Sequence, residues 1–236
     1  MPSCSVEVGI NGPIAIRHEI FSSEYRCRIL YISDIHLTPK RLPILCERLG
    51  EVLAHTVPDL TLLGGDIVDS PRGLLALPEL LRRLATYPGP IAAVPGNHDF
   101  DAGVCRVSAT IHDAGIHWLP DGPFRFRTRS ERNVIVHGEM HSNTTADALH
   151  ILCGHDPEIF SHPLSRRFQL TLAGHYHGGQ VILFRRQGKE YPNSWFFPWS
   201  GTRFSEGNAT LLVSRGVADT LPLRFNCPRE VVLCEL

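Results

Sequence analysis

The sequence lacks the features that mark several specialised classes of protein. Basic and acidic residues nearly balance at 23 and 24, so the formal net charge is -1 and the composition offers no basic face for non-specific nucleic-acid binding. No apolar run approaches the roughly 20 residues that cross a bilayer, and no basic segment leading into an apolar one opens the chain. We therefore expect no transmembrane segment, no nucleic-acid partner, and a cytoplasmic protein or one peripheral to a membrane.

The cysteines show no pairing pattern. The seven cysteines are scattered and odd in number, with no Cys-x-x-Cys pair, so we expect most to be reduced. Cys46, Cys105 and Cys153 lie in apolar contexts where a thiol behaves as a small hydrophobe.

Hydrophobic residues make up 43% of 236 positions, enough for a full core. We expect one domain over residues 1–236, with residues 1–26 forming peripheral strands.

Short apolar runs alternate with polar loops and amphipathic segments. Strands are predicted at 27–33, 59–63, 90–94, 116–119, 124–126, 133–137, 150–153, 169–173, 181–184, 209–214 and 229–236. Helices are predicted at 42–57, 74–87 and 101–114. A weak alternation over 6–16 predicts a short hairpin or an edge strand. The rhythm of strand, loop and helix indicates a parallel sheet covered on both faces that continues as a mixed one.

Five of these apolar runs are followed by side chains that can bind metals. In such sheets, ligands bind at the carboxyl ends of the strands. The side chains are Asp34 and His36, then Asp66, then Asn97 and His98, then His155, and finally His175 and His177. In an extended backbone His175 and His177 would share a face about 7 Å apart, close enough to reach one ion or two neighbouring ions. A single histidine after a strand is usually structural, but five such strand ends indicate a metal site. Imidazole and carboxylate suit Zn, Mn, Fe or Co better than Mg or Ca.

The order of these motifs resembles that of a known superfamily, the calcineurin-like metallophosphoesterases. The motifs are Asp34-x-His36, Gly65-Asp66, Gly96-Asn97-His98-Asp99, Gly154-His155 and Gly174-His175-x-His177. The resemblance covers the chain from about residue 28 to the C-terminus. It implies an α/β fold, a four-layer αββα sandwich with two central mixed β-sheets. It also implies a two-metal centre at the sheet edge.

The resemblance assigns a role to each motif residue. Its ligand sets are Asp34, His36 and His177 for one divalent ion, Asn97, His155 and His175 for the other, and Asp66 as the bridge. A water or hydroxide shared by both ions is the implied nucleophile. His98 matches the family's catalytic histidine, which stabilises charge on the phosphoryl oxygen or protonates the leaving group. Asp69 matches the acid that orients this imidazole.

Two further stretches of the sequence resemble one branch of the superfamily and bear on the substrate. The motif Gly-His-x-His-Gly-Gly-Gln at 174–180 and the tail over 214–230 are similar to one bacterial branch of the superfamily. That branch includes phosphodiesterases of small phosphodiesters and a hydrolase of UDP-2,3-diacylglucosamine. The resemblance implies a hydrolase of a small phosphodiester or a lipid-linked pyrophosphate. A phosphomonoesterase with the same centre, or a non-catalytic metal-binding scaffold for protein partners, is an alternative.

Two features in this region have no assigned role. Tyr176 stands where threonine is usual in the family. The segment Trp-Phe-Phe-Pro-Trp at 195–199 holds four aromatic residues in five positions. It is either a loop packed on the core or an exposed apolar patch suited to an acyl chain, a nucleobase or a partner subunit.

Overall fold

The computed structural model describes residues 5–9, 12–21, 24–140 and 144–236. The strands in these ranges are β1 Val6–Val8, β2 Ala15–Ile20, β3 Arg28–Ile32, β4 Leu60–Gly64, β5 Ile91–Val94, β6 His117–Trp118, β7 Phe124–Arg127, β8 Asn133–His137, β9 Ala148–Cys153, β10 Leu170–Ala173, β11 Phe184–Arg186, β12 Lys189–Tyr191, β13 Arg203–Glu206, β14 Ala209–Val213, β15 Leu223–Phe225 and β16 Glu230–Glu235. The α-helices are α1 Leu42–Thr56, α2 Leu77–Leu84 and α3 Asn97–Asp113.

Most strands belong to two six-stranded mixed sheets. The first has the order β2-β16-β3-β4-β5-β6, in which β3 to β6 run parallel and β16 pairs antiparallel with β3. The second has the order β13-β14-β10-β9-β8-β7, with parallel pairing from β14 to β8 and an antiparallel strand at each edge. Helices α1, α2 and α3 connect successive parallel strands of the first sheet, as parallel pairing requires.

Alternate residues of each central strand separate the layers. In β3, Ile29 and Tyr31 pack into the core between the two sheets, while Leu30 and Ile32 pack toward the helices. In β14, Leu212 faces the core between the sheets, and Leu211 packs with Phe160 on the outer face. The predicted fold of helices around two central mixed sheets is confirmed. The outer cover of the second sheet is thin, because it contains the short 3-10 turns Pro157–Ser161 and Pro163–Arg167.

The predicted central strands and helix α1 are confirmed, but some boundaries and partners differ. The hairpin over 6–16 is wrong, because β1 pairs with β15 and β2 with β16; the alternative of an edge strand holds for β2. The helix predicted at 74–87 is divided into a 3-10 turn, Gly73–Leu75, and α2, which has a proline in its first turn. The strand predicted at 181–184 begins only at its last residue.

The six cysteines in the described part of the chain are free. Cys153 is buried as expected, and Cys46 on α1 is half-buried and packs against the core, but Cys105 is exposed on α3, so the expectation is wrong for Cys105. Cys4 and residues 10 and 11 of the predicted hairpin lie outside the described residues. Among the described residues, no helix is long and apolar enough to cross a membrane. The organisation as one domain with peripheral strands over 1–26 stays a prediction.

Candidate metal centre

The candidate ligands come from the carboxyl ends of parallel strands in both sheets. Because the two sheets pack face to face, these ends meet at one edge of the sandwich. Three groups of side chains there have ligand atoms within 4.8 Å of one another. The groups are Asp34, His36 and His177; His36, Asp66 and His98; and Asp66, His155 and His175. The shared members make this one continuous cluster.

The first group brings two imidazoles and a carboxylate together in the interior. His36 Nε2 lies 3.1 Å from His177 Nε2, and His177 Nε2 lies 3.6 Å from Asp34 Oδ1. The His177 Nδ1 atom lies 3.1 Å from the carbonyl oxygen of Ala218, which can only accept a hydrogen bond. Nδ1 therefore carries the hydrogen, and the Nε2 lone pair points into the group, as in metal-binding histidines.

The third group is joined to the first through Asp66. The Asp66 Oδ2 atom lies 3.2 Å from His155 Nε2 and 3.7 Å from His36 Nε2. The His155 Nδ1 atom donates to the Gly64 carbonyl at 2.9 Å, and the His155 ring centroid lies 5.1 Å from that of His175. The Asp66 Oδ1 atom accepts a hydrogen bond of 2.8 Å from the His98 backbone N–H. The carboxylate of Asp66 thus lies between two sets of imidazoles.

The backbone at these positions is unusual. Five residues of the cluster have a left-handed φ between +43° and +70°: Asp34, His36, Asp66, His175 and His177. Side chains other than glycine rarely adopt this region, and such strain collects at functional sites when surrounding contacts enforce it. The backbone at 175–177 is therefore a tight turn rather than an extended segment. The turn sends His177 to the first group and His175 to the third.

Glycines allow the loops to approach the ligands closely. A Cβ atom at Gly174 would lie 2.4 Å from Asp34 Oδ2, and one at Gly65, where φ is +85°, would lie 2.6 Å from His155 Nδ1. Both distances are far below van der Waals contact. The glycines of the Gly65-Asp66 and Gly174-His175 motifs are thus required for packing around the ligands.

The donors fit a divalent cation. Asp34 Oδ2 is buried without a hydrogen-bond partner. Leaving buried polar atoms unpaired costs about 1–3 kcal/mol each, which coordination of a cation would offset. The mixture of imidazole nitrogen and carboxylate oxygen suits Zn, Mn, Fe or Co. The described residues can therefore hold a metal ion, and their arrangement offers more than one group to do so.

The cluster also perturbs the protonation of its members. Burial tends to lower the pKa of His155, but the carboxylates of Asp66 and Asp34 outweigh it and raise that pKa to about 9. Burial tends to raise the pKa of Asp66, yet His155, the His98 N–H and His36 hold it at about 2. Burial and the neighbouring His177 lower the pKa of His36 to about 4. Without metal, His155 and Asp66 therefore form an ion pair at neutral pH.

Metal binding should release this proton. Because coordination needs the neutral form of His155, we expect Mn²⁺ to displace about one proton per chain at pH 7.5. The release should fall toward zero, and the apparent affinity should level off, as the pH rises through about 9. Titration calorimetry in buffers of different ionisation enthalpy measures the number of protons. Binding at pH 7.5 without proton release would contradict the protonated state of His155.

The three remaining predicted residues surround the start of α3. His98 is half-buried, its Nδ1 lies 3.1 Å from the backbone carbonyl of Asp69, and its ring packs edge-on against His36 at 4.6 Å between centroids. The carboxylate of Asp69 lies instead 3.4 Å from His36 Nδ1. Asn97 is exposed in the first turn of α3, and no polar contact found among the described residues joins its side chain to the cluster.

Asp99, the last residue of the Gly96-Asn97-His98-Asp99 motif, has a structural role. This fully buried carboxylate accepts hydrogen bonds from the backbone N–H groups of Gly96, Ile67 and Val68, at 2.9, 3.1 and 2.9 Å. It caps α3 and fastens that helix to the loop that carries Asp66. The signal was present, because an acid three residues after an N-cap position is typical of a capping box.

The C-terminal tail also supports the ligands. The Ala218 carbonyl that accepts from His177 also accepts from Arg224 Nη2 at 2.7 Å. The buried Arg224 is in turn paired with the buried Asp219. The Gln180 side chain binds the Leu221 carbonyl at 2.7 Å and the Leu221 N–H at 2.9 Å. The last residue of the 174–180 motif thus holds the tail that orients His177.

Several known proteins are similar to this chain in sequence or in structure. The family model described as calcineurin-like phosphoesterase matches residues 27–191. Phosphodiesterase YaeI of Escherichia coli (strain K12) is 26% identical over 230 residues, covering 89% of this chain and 82% of that protein. A UDP-2,3-diacylglucosamine hydrolase of Xanthomonas campestris is 32% identical over 120 residues, 47% of this chain and 46% of that protein. The crystal structure of TT1561 of Thermus thermophilus shares the fold, with a TM-score of 0.50 and 13% identity over 81% of this chain and 90% of that one.

Proposed function

The chain belongs to the calcineurin-like phosphoesterase family, a family of phosphoric ester hydrolases, and from this premise we propose that it is a dinuclear phosphodiesterase or pyrophosphohydrolase. The observation that carries the proposal is the Asp66 carboxylate, whose Oδ2 lies 3.7 Å from His36 Nε2 and 3.2 Å from His155 Nε2. A carboxylate so placed can serve two cations at once. Its negative charge would offset the repulsion between them.

The proposed ligand sets divide the cluster between two ions. They are Asp34, His36 and His177 for the first, Asn97, His155 and His175 for the second, and Asp66 for both. Bound divalent ions supply Lewis acidity toward phosphoryl oxygens and lower the pKa of water. The backbone contacts of His177 with Ala218 and of His155 with Gly64 hold these two rings with Nε2 turned inward.

His98 is the proposed catalytic residue. The Asp69 carbonyl accepts the hydrogen of Nδ1, which leaves Nε2 as the nitrogen available to a substrate. In the imidazolium form, Nε2 donates to a phosphoryl oxygen or transfers its proton to the leaving oxygen. Asp69 has two proposed positioning roles. Its backbone carbonyl orients His98, and its carboxylate lies against His36 Nδ1 at 3.4 Å.

The relatives guide the choice of substrate class. One has a name that specifies a phosphodiesterase and another a hydrolase of UDP-2,3-diacylglucosamine. We propose that this chain likewise cleaves a small phosphodiester or a lipid-linked pyrophosphate. The proposed ions are drawn from Mn, Fe, Zn and Co, and manganese is the first to test.

The proposal predicts a preference for diesters. We expect kcat/KM for bis-p-nitrophenyl phosphate to exceed that for p-nitrophenyl phosphate by at least about tenfold, or about 1.4 kcal/mol of transition-state stabilisation. Both substrates are assayed with Mn²⁺, Co²⁺, Zn²⁺ and Mg²⁺ added to metal-stripped protein. The opposite preference would favour a phosphomonoesterase, and no turnover of either ester or of a UDP-linked lipid with any ion would contradict hydrolysis altogether.

A further inference from the structure

An exposed group of apolar side chains lies beside the candidate centre. Its members, here called the aromatic surface, are Leu183, Phe184, Trp195, Phe196 and Phe197, with 59%, 48%, 64%, 77% and 40% of their surface exposed. Core packing, one of the two interpretations of segment 195–199, holds for Trp199, which packs against Phe160 and Phe204. Large apolar side chains exposed together, rather than singly, mark an interaction site.

Ring contacts connect this surface to the candidate metal centre. On one side, Phe184 stacks on Tyr191 at 4.7 Å between centroids, and Tyr191 contacts Trp195 at 6.0 Å. On the other side, Phe197 packs on Tyr176 at 4.6 Å, and Tyr176 lies 5.6 Å from His175. The Tyr176 hydroxyl donates to Glu158 at 3.1 Å, which fixes this ring in place. Tyr176 thus links the aromatic surface to a candidate ligand.

On the side of the β11–β12 hairpin, the charges beside the aromatic surface are basic. The β11–β12 hairpin carries Arg185, Arg186 and Lys189, and its single acid is Glu190. Glu190 is buried, and its carboxylate bonds to Arg185 and Arg215, so it presents no free negative charge. Arg186 is exposed, and no acidic partner is found for it in the described part of the chain. The surface is therefore apolar with a basic border on the hairpin side, although the whole chain has a formal net charge of -1. On its other side, beside Tyr176, the exposed acid Glu158 lies next to the surface.

We propose that the aromatic surface docks on an anionic lipid bilayer. Tryptophan and phenylalanine side chains favour the depth of the lipid headgroups, and neighbouring arginine and lysine side chains attract anionic lipids. A second copy of this chain fits less well. A two-fold interface would bring the same basic hairpins together, where like charges repel. Docking does not depend on catalysis; where the proposed hydrolase activity also holds, it brings a lipid-borne phosphoester to the centre beside Tyr176.

Vesicle co-sedimentation of the full chain tests this proposal. Vesicles of phosphatidylcholine with phosphatidylglycerol should bind the chain, and raising the salt concentration or omitting phosphatidylglycerol should weaken binding. The double variant Trp195→Ser, Phe196→Ser should bind at least about tenfold more weakly, because it removes the most exposed rings. Arg186→Glu should weaken binding by at least about fivefold, which is the effect of about 1 kcal/mol per basic residue near the surface.

A matched control separates this surface from exposed apolar residues in general. Leu75 is 78% exposed, as Phe196 is at 77%, but it lies in the 3-10 turn before α2, so Leu75→Ser should bind vesicles as the unaltered chain does. Equal vesicle binding by the double variant and the unaltered chain would overturn the proposal. So would sedimentation velocity showing a dimer that the double variant abolishes, together with no vesicle binding. If the unaltered chain hydrolyses no phosphoester in the absence of vesicles, that result counts against the proposed function and leaves the docking proposal unaffected.

Discussion

Asp66→Ala is expected to lower the metal content of the purified chain from two ions to less than one and to remove most hydrolysis of a diester. The substitution deletes the oxygen that faces both His36 and His155, at 3.7 and 3.2 Å. It also removes the acceptor of the His98 N–H. Metal ions contribute several kcal/mol to transition-state stabilisation, so we expect kcat/KM to fall by about 10³-fold or more.

Elemental analysis after gel filtration and the diester assay together test this prediction. Asp59 provides a matched control, because it precedes the amino end of the same strand, β4, and its carboxylate accepts from the Arg28 N–H at 2.9 Å. Asp59→Ala should keep two ions and its activity even if it lowers the melting temperature. If Asp66→Ala also keeps two ions per chain, Asp66 is not the bridge.

His98→Ala is expected to keep both ions and lose turnover. The His98 side chain contacts the Asp69 carbonyl and the His36 ring but belongs to neither proposed ligand set. General acid catalysis by a positioned histidine is worth about 10²–10⁴-fold, so kcat for a diester should fall by that factor. The fall should be smaller for a diester with a p-nitrophenol leaving group, which needs little protonation, than for one with an alcohol leaving group.

The control for His98 lies on the same helix. His112 is exposed near the end of α3, and its Nε2 lies 2.8 Å from Asp121 Oδ2, far along the chain from the cluster. His112→Ala should leave metal content and kcat unchanged. Near-normal turnover by His98→Ala, or a loss of metal equal to that of Asp66→Ala, would show that the catalytic role is wrong.

The central strands could be predicted because burial on both faces makes them continuously apolar. β3, β4 and β10 have that pattern, and the structure has them where the sequence indicates. The short strands β12 and β13 are not predictable in this way, because their charged and half-exposed residues carry no period. The pairing partners of the strands could not be predicted from the sequence either. β1 pairs with β15 and β2 with β16, over 200 residues away, and local spacing does not encode that choice.

The candidate site also has a part that the sequence predicts and a part that it does not. Side chains that bind metals can be recognised in the sequence by residue type, and the motif residues with an imidazole or a carboxylate do converge. What holds them is largely backbone: the Ala218 carbonyl behind His177, the Gly64 carbonyl behind His155 and the left-handed φ of five cluster residues. A carbonyl group occurs at every position, so no residue type signals its use. The exposure of segment 195–197 likewise depends on which residues pack around it in the fold, and the spacing of residues in the sequence does not show this.

Anomalous diffraction from crystals grown with Mn²⁺ tests the central claim most directly, because it locates ions independently of any assay. We predict two peaks per chain at the edge where the sheets meet. One should have Asp34, His36 and His177 as ligands, the other Asn97, His155 and His175, and both should contact Asp66. A single peak, or none within reach of Asp66 at saturating Mn²⁺, would contradict the two-metal centre.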